Sequence, residues 1–332
     1  MARWLKRPQG SNWGAFGADD QIGRMNLISP AHRLRAIAEA REGHAFLLGL
    51  PLDYPKGPIF AGRNPPRLEA TTAGDGRLMY DWTVSGGRTD IVNDDRVVMD
   101  LQYSSQWDGL SHYGACFDAD DDGIAEHVFY NGYRSDTHFR QPTDGVAPAA
   151  LALGIENLAR TCVQGRGVLV DMRKSGVGPG ALVGYDALMA ALENQGAGVE
   201  EGDFLCLYTG YADLLLRDGA AVDRTALAAC PGLDGSDRAL LDWVDRSGLV
   251  AICADNPMVE KVDGVQSCAG APMLPLHEHC LVKLGIHLGE LWWFGGIAPW
   301  LAVHQRAHFL LTAPPLNLPG AVGSPATPVG TV

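Results

Sequence analysis

From residue 148 onward the chain alternates between two patterns. Three short, unbroken apolar runs, Gly167-Val-Leu-Val-Asp171, Asp203-Phe-Leu-Cys-Leu-Tyr-Thr-Gly210 and Leu249-Val-Ala-Ile-Cys-Ala254, read as strands covered on both faces. Between and before them, helical spacing predicts helices over 149–160, 185–194 with Gly196 as its stop, and 236–247 carrying Leu240, Leu241 and Trp243. Strands of this kind separated by helices mean an α/β arrangement.

The first half is less regular. Residues 11–27 mix glycine and aromatics and read as an irregular lead-in. Ser29-Pro30 is a helix start, with serine at the cap and proline at the first turn, and the helix is expected to run to about Glu42 and stop at Gly43. Strands are expected over 46–52, 78–84 and 96–103. Between the first two lies a Pro/Gly-rich loop over 55–77, suited to an active-site wall or an oligomer arm. The strand at 309–312 is followed by a Pro/Gly-rich coil expected to pack on the core through Leu316, Leu318 and Val322.

Composition narrows the function classes. The 332 residues are 46% hydrophobic, enough for a sizeable core, and no internal repeat or linker divides them, so one domain is expected. A formal charge of −13 argues against a nucleic-acid surface. No run of about 18 apolar residues suggests a membrane span, and the N-terminus lacks a signal-peptide pattern. Seven scattered cysteines without Cys-x-x-Cys spacing suit a reduced, cytoplasmic protein with no thiolate zinc site.

Candidate chemistry concentrates in Leu101-Gln-Tyr-Ser-Ser-Gln-Trp-Asp-Gly-Leu-Ser-His112. Gln102, Gln106, Asp108 and His112 are evenly spaced, so an extended strand would present them on one face, with Tyr103, Ser105, Trp107, Gly109 and Ser111 on the other. A polar strand end is the plainer reading. A second polar group, His277-Glu-His279 with Glu290 following, is a plausible other half of a metal site, or a wet helix start. Asp118, Asp120, Asp121 and Asp122 with Gly123 lack the bidentate glutamate of a calcium loop and read as a solvated acidic turn. His127 and Tyr130 sit on an aromatic-rich loop that could fold over the polar face. Ser104, Ser105 or Ser111 with His112 would be a metal-free nucleophile–base pair, though no Gly-x-Ser-x-Gly elbow is present.

Taken together, several segments resemble the large cyclase family, which includes bacterial kynurenine formamidase and isatin hydrolase. They are Asn12-Trp-Gly, Ala18-Asp-Asp, Asn26-Leu, Gln106-Trp-Asp-Gly-Leu-Ser-His112, Tyr130-Asn-Gly132, Gly165-Arg-Gly-Val-Leu-Val-Asp171, Thr209-Gly-Tyr211, Pro231-Gly-Leu233, residues 255–260 and 277–290, and Gly323-Ser-Pro325. The family motif His-x-Gly-Thr-His-x-Asp-x-Pro-x-His falls on Gln102, Gln106, Asp108 and His112, in the manner of a longer branch with Gln-Trp-Asp. The resemblance implies a single α/β domain over 1–332 whose mixed β-sheet curls into a barrel-like core with surrounding helices. Residues 1–28 would be its lead-in and 313–332 its packed tail.

The resemblance also implies a metal-dependent hydrolase that cleaves a C–N bond of a small amide or cyclic amide, with a small-molecule substrate and a homo-oligomeric assembly, dimer or tetramer. His112 would shuttle the proton beside Asp108, and Trp107, His127 and Tyr130 would grip the substrate. With two histidines replaced by glutamine, one divalent ion, Mn2+ or Zn2+, is expected on Asp108, His277 and Glu290, with Gln106 as ligand or as a donor behind them. A metal-free or degenerate member, acting as a cyclase or lactonase or as a small-molecule binding protein, is the alternative.

Overall fold

The computed structural model describes residues 3–57, 59–84, 86–262 and 270–332. Its main sheet has nine strands, numbered here along the chain: β1 Ala45–Leu47, β2 Gln106–Asp108, β3 Gln164–Asp171, β4 Phe204–Tyr208, β5 Ala251–Ala254, β6 His287–Glu290, β7 His308–Thr312, β8 Gly323–Pro325 and β9 Val329–Thr331. Their order is β1-β9-β7-β3-β4-β5-β6-β2-β8. The central four, β3 to β6, are parallel, and the strands flanking them pair antiparallel.

This order forces the sheet to curl. β8 and β9 stand seven places apart, which in a flat sheet is about 34 Å at ~4.8 Å per strand. Only Ala326, Thr327 and Pro328 join them, a span of at most about 15 Å at ~3.8 Å per Cα step. The two ends of the sheet therefore bend toward each other. Backbone bonds from Ala326 N–H to the Ser105 carbonyl and from Leu48 N–H to the Pro328 carbonyl hold the link on both sides.

The continuous apolar runs are the parallel strands because each face is covered. Val168, Val170, Leu205, Leu207, Ile252 and Leu288 pack under helices Tyr185–Asn194 and Arg238–Ser247. Leu169, Phe204, Cys206, Cys253, Phe309 and the Trp107–Trp292 pair fill the other face. Asp237 caps the second helix through the Ala239 and Leu240 amides, and Ser29 caps Pro30–Ile37 in a capping box with His32. Among the described residues no helix is long and apolar enough to cross a membrane.

Several expected elements are shorter than their patterns suggested. The first helix ends at Ile37, since the chain turns at Ala38 to reach β1. The 149–160 helix begins only at Ile155, because Ala149–Ala150 pairs with Phe139–Arg140. The described residues between 67 and 98 form a ribboned arm, with Arg67–Ala70 pairing Asp95–Val98 and Trp82–Thr83 pairing Ile91–Val92. The expected C-terminal coil contains β8 and β9, whose three residues apiece give too little alternation to read in advance. The acidic turn is an ion-pair cluster: Asp118 and Asp121 meet Lys6, and Asp120 and Glu126 meet Arg134. Of the seven cysteines, six are free thiols, and Cys268 lies outside the described residues.

Candidate metal centre

The site is built where β2 runs antiparallel to β6. Gln106 lies opposite Glu290 and Asp108 opposite Leu288, so the register sends Gln106, Asp108 and Glu290 to one face. Trp107 points to the other, opposite Gly289. A side chain there would collide with Trp292 and Cys253. His277 arrives from the helix that starts at Pro275 and widens into a π-helix over Glu278–Leu284, a form common at functional sites. Ligand atoms of Asp108, His277 and Glu290 lie within 4.8 Å of one another, and all three residues are buried.

Charge explains what such a cluster requires. His277 Nε2 stands 3.2 Å from Glu290 Oε1 and 4.0 Å from Asp108 Oδ2. Its Nδ1 stands 2.7 Å from Glu260 Oε1. Burial pulls the imidazole pKa down, but hydrogen bonds to Glu260 and Glu290 and their charges outweigh it, and the net shift is upward. Burial and the charge of Asp108 raise Glu290. Three buried carboxylates around one imidazole thus lack positive charge, and a divalent cation fits that deficit. The donors fit it too. With Nδ1–H held by Glu260, Nε2 faces Glu290 and Asp108, so that once its proton is displaced its lone pair is aimed at a cation between them, the carboxylate–histidine arrangement that orients a metal ligand.

Glu260 is the residue that sequence reasoning missed. It fell inside a segment quoted for the resemblance, but nothing in its surroundings signals a partner seventeen positions away. Its two oxygens also accept the Leu276 and His277 amides, capping the helix that carries His277. Glu260→Gln keeps the shape and loses the charge. Cation affinity should fall about 10–100-fold, read by competition against a chromophoric chelator, while the pairing of β2 with β6 stays intact.

Gln106 stands as a donor. Its Nε2 gives hydrogen bonds of 2.9 Å to Glu290 Oε2 and 3.2 Å to Asp108 Oδ1, and its buried Oε1 has no partner among the described residues. Turning the amide over would set its oxygen against two carboxylates. Gln102 lies off the strand: β2 spans three residues, so even spacing no longer fixes a face beyond it. Its side chain lies against Gly323 and its carbonyl accepts from Arg63. Arg63, also missed, stacks on Phe60, and its charge acts on Glu290. His112 reaches the site through the turn after β2, with Nε2 3.8 Å from Asp108 Oδ2 and its side chain 22% exposed, the most open group of the set. Tyr113 lies beside the His277 ring at 5.6 Å.

The three expected substrate residues do not join this group. Trp107 is fully buried on the opposite face, with its indole N–H donating to the Ala313 carbonyl. Tyr130 is buried with its hydroxyl donating to Asp20. His127 is exposed on a separate hairpin, lining a shallow depression with Glu126 and Ser135. In each case an aromatic near the motif in sequence serves packing or solvent. His279 turns to Asp245 and Glu278 to Lys283. The serines are committed to backbone carbonyls: Ser104 to Pro51, Ser105 to Leu291 and Ser111 to Leu153, which removes the nucleophile pair with His112.

Residues 48–261 match the family described as "Putative cyclase". The chain belongs to the cyclase family. A solved structure described as a novel cyclase is 30% identical, covers 97% of both chains and superposes with a TM-score of 0.77. Two isatin hydrolases share the fold of this cyclase-family protein, each covering 92% of it and 99% of their own chains. One, isatin hydrolase A from Labrenzia aggregata bound to benzyl benzoate, is 13% identical with a TM-score of 0.57. The other, bound to the product analogue thioisatinate, is 15% identical with a TM-score of 0.53. Among curated proteins none matches. The family match covers Asp108 and Glu260 and stops short of His277 and Glu290.

Proposed function

We propose that this cyclase-family protein is a metal-dependent hydrolase that opens the C–N bond of a small amide or cyclic amide. The observation that carries the reading is the convergence of Asp108, His277 and Glu290 in one buried cluster, with Glu260 behind His277. Two carboxylates and one imidazole suit Mn2+ at least as well as Zn2+. When bound, such an ion acts as a Lewis acid and brings the pKa of water down to about 7.

The chain's own groups supply the rest. Glu260 holds His277 in the tautomer that leaves Nε2 free. Gln106 keeps Asp108 and Glu290 converged by donating to both. His112, at the open side of Asp108, gives its proton to the leaving nitrogen, a role worth typically 10²–10⁴-fold. The fold shared with isatin hydrolases, which by name act on a cyclic amide, supports the choice of bond. The protein is further proposed to form a homo-oligomer, dimer or tetramer. Its arm exposes Leu68, Leu78, Tyr80, Ile91, Val97 and Val98, and an isolated two-stranded ribbon is marginal in water without a covering surface.

Asp108→Ala tests the centre. Bound metal measured by elemental analysis should fall from about one equivalent to a trace, together with turnover on a panel of formanilides, lactams and lactones. Unchanged metal content would remove Asp108 from the site.

A further inference from the structure

One residue of the polar motif, Gln102, has no part in the chemistry above. It precedes β2, yet its side chain comes back over the centre's face. Gly323 of β8 lies opposite Asp108 of β2, so a side chain at 323 would share the face that carries Asp108, Gln106 and Glu290. The Gln102 amide uses that space: its Nε2 lies 2.5 Å from where a Cβ on Gly323 would stand. Directly opposed Cβ positions are about 5 Å apart, so Nε2 lies within about 8 Å of the Asp108 Cβ, with room for one small group between them.

Two observations set this amide apart from a packing group. Its Nε2 is buried and has no hydrogen-bond partner among the described residues, although native proteins rarely leave a buried donor unpaired. The residue is also held in place. Its carbonyl accepts a 3.0 Å bond from Arg63 Nη1, and Arg63 is braced on the Phe60 ring. A fixed, unspent N–H beside an acid cluster suits an oxygen that gains negative charge. Asp108, Glu260 and Glu290 are acceptors and offer no such help, and Gln106 Nε2 already donates to two of them.

We propose that Gln102 Nε2 donates to the oxygen of the substrate's amide carbonyl as it becomes an oxyanion, which makes Gln102 a further catalytic residue. The inference rests on the hydrolase reading. Water bonds to the carbonyl carbon, and the π pair of C=O moves onto oxygen, where the Gln102 N–H meets it. When that pair returns, the C–N bond breaks, the nitrogen leaves with the proton of His112, and the water's proton restores His112. A preorganised donor stabilises the charged oxygen more than the uncharged carbonyl, and that difference lowers the barrier.

Benzamide and phenylphosphonamidate are matched probes, the first planar and uncharged, the second tetrahedral with a negative oxygen. Titration calorimetry on the purified protein loaded with Mn2+ should show the phosphonamidate bound more tightly. Gln102→Met keeps the length of the side chain and loses the donor. It should weaken the phosphonamidate about 10–100-fold and benzamide far less. Bound metal, by elemental analysis, should stay unchanged and thermal unfolding cooperative. With any formanilide or lactam that is turned over, kcat should fall about 10²–10³-fold while KM changes little. No preference for the phosphonamidate in the unaltered protein, a preference that survives Gln102→Met, or metal lost with that substitution would each overturn the proposal. If Gln102→Met erases the preference and no amide is ever hydrolysed, the hydrolase reading fails while the anion-binding donor stands. If amides are hydrolysed and Gln102→Met keeps full kcat, the donor fails alone.

Discussion

His277→Ala should lower hydrolysis by roughly 10³-fold or more and strip the protein of bound metal, with only a modest change in melting temperature. The imidazole is the sole nitrogen donor of the cluster and sits between its carboxylates. Removing it leaves Asp108, Glu260 and Glu290 facing one another, so a cation would bind weakly to oxygens alone and water would lose the acidity that makes it a nucleophile at neutral pH. Single-turnover rates and elemental analysis on the same preparation check both halves. Full activity with no metal would end the metal-dependent reading, whereas lost activity with metal retained would shift His277 from ligand to proton carrier. His277 is raised in pKa without a cation, so binding must displace a proton, and cation affinity should climb as pH rises.

The largest expected loss of stability lies far from the centre. Asp203, fully buried at the entrance to β4, accepts 3.0 and 2.6 Å bonds from the Arg166 guanidinium of β3, along with the Glu200 amide. Breaking a buried pair by removing one partner costs about 3–5 kcal/mol, because the remaining charge is stranded. Arg35 also reaches Asp203 at 3.1 Å and softens the blow, so Arg166→Met should cost about 3 kcal/mol and lower the melting temperature by roughly 4 °C at a fixed scan rate. Adding Asp203→Leu should restore much of it. A melt unchanged by Arg166→Met would mean that Arg35 alone satisfies the carboxylate.

The parts of this fold legible in the sequence are those whose signal is local. Val168 to Val170 and Leu205 to Leu207 announce covered strands because both faces are apolar, and Ser29 and Gly196 mark helix ends, one by its capping hydroxyl and the other by its positive φ. Alternation correctly put Gln106 and Asp108 together, but only for the three residues that are strand. Trp107, next to both, belongs to the far side for the same reason. What escaped is decided by distance in space. Glu260 is an ordinary loop acid until the chain returns sixteen and seventeen residues later to offer it two amides and an imidazole. Arg63 matters because a loop nearly forty residues upstream of Gln102 settles against it.

The three-residue link between β8 and β9 also sets a schedule. β2 carries Asp108, and its outer edge is closed by β8, which with β9 follows every other strand of the sheet. During synthesis the ribosome therefore releases the pieces that clasp the sheet last. Until they emerge, the strand holding Asp108 has an open flank, and the cluster it forms with His277 and Glu290 should mature only after translation has delivered them.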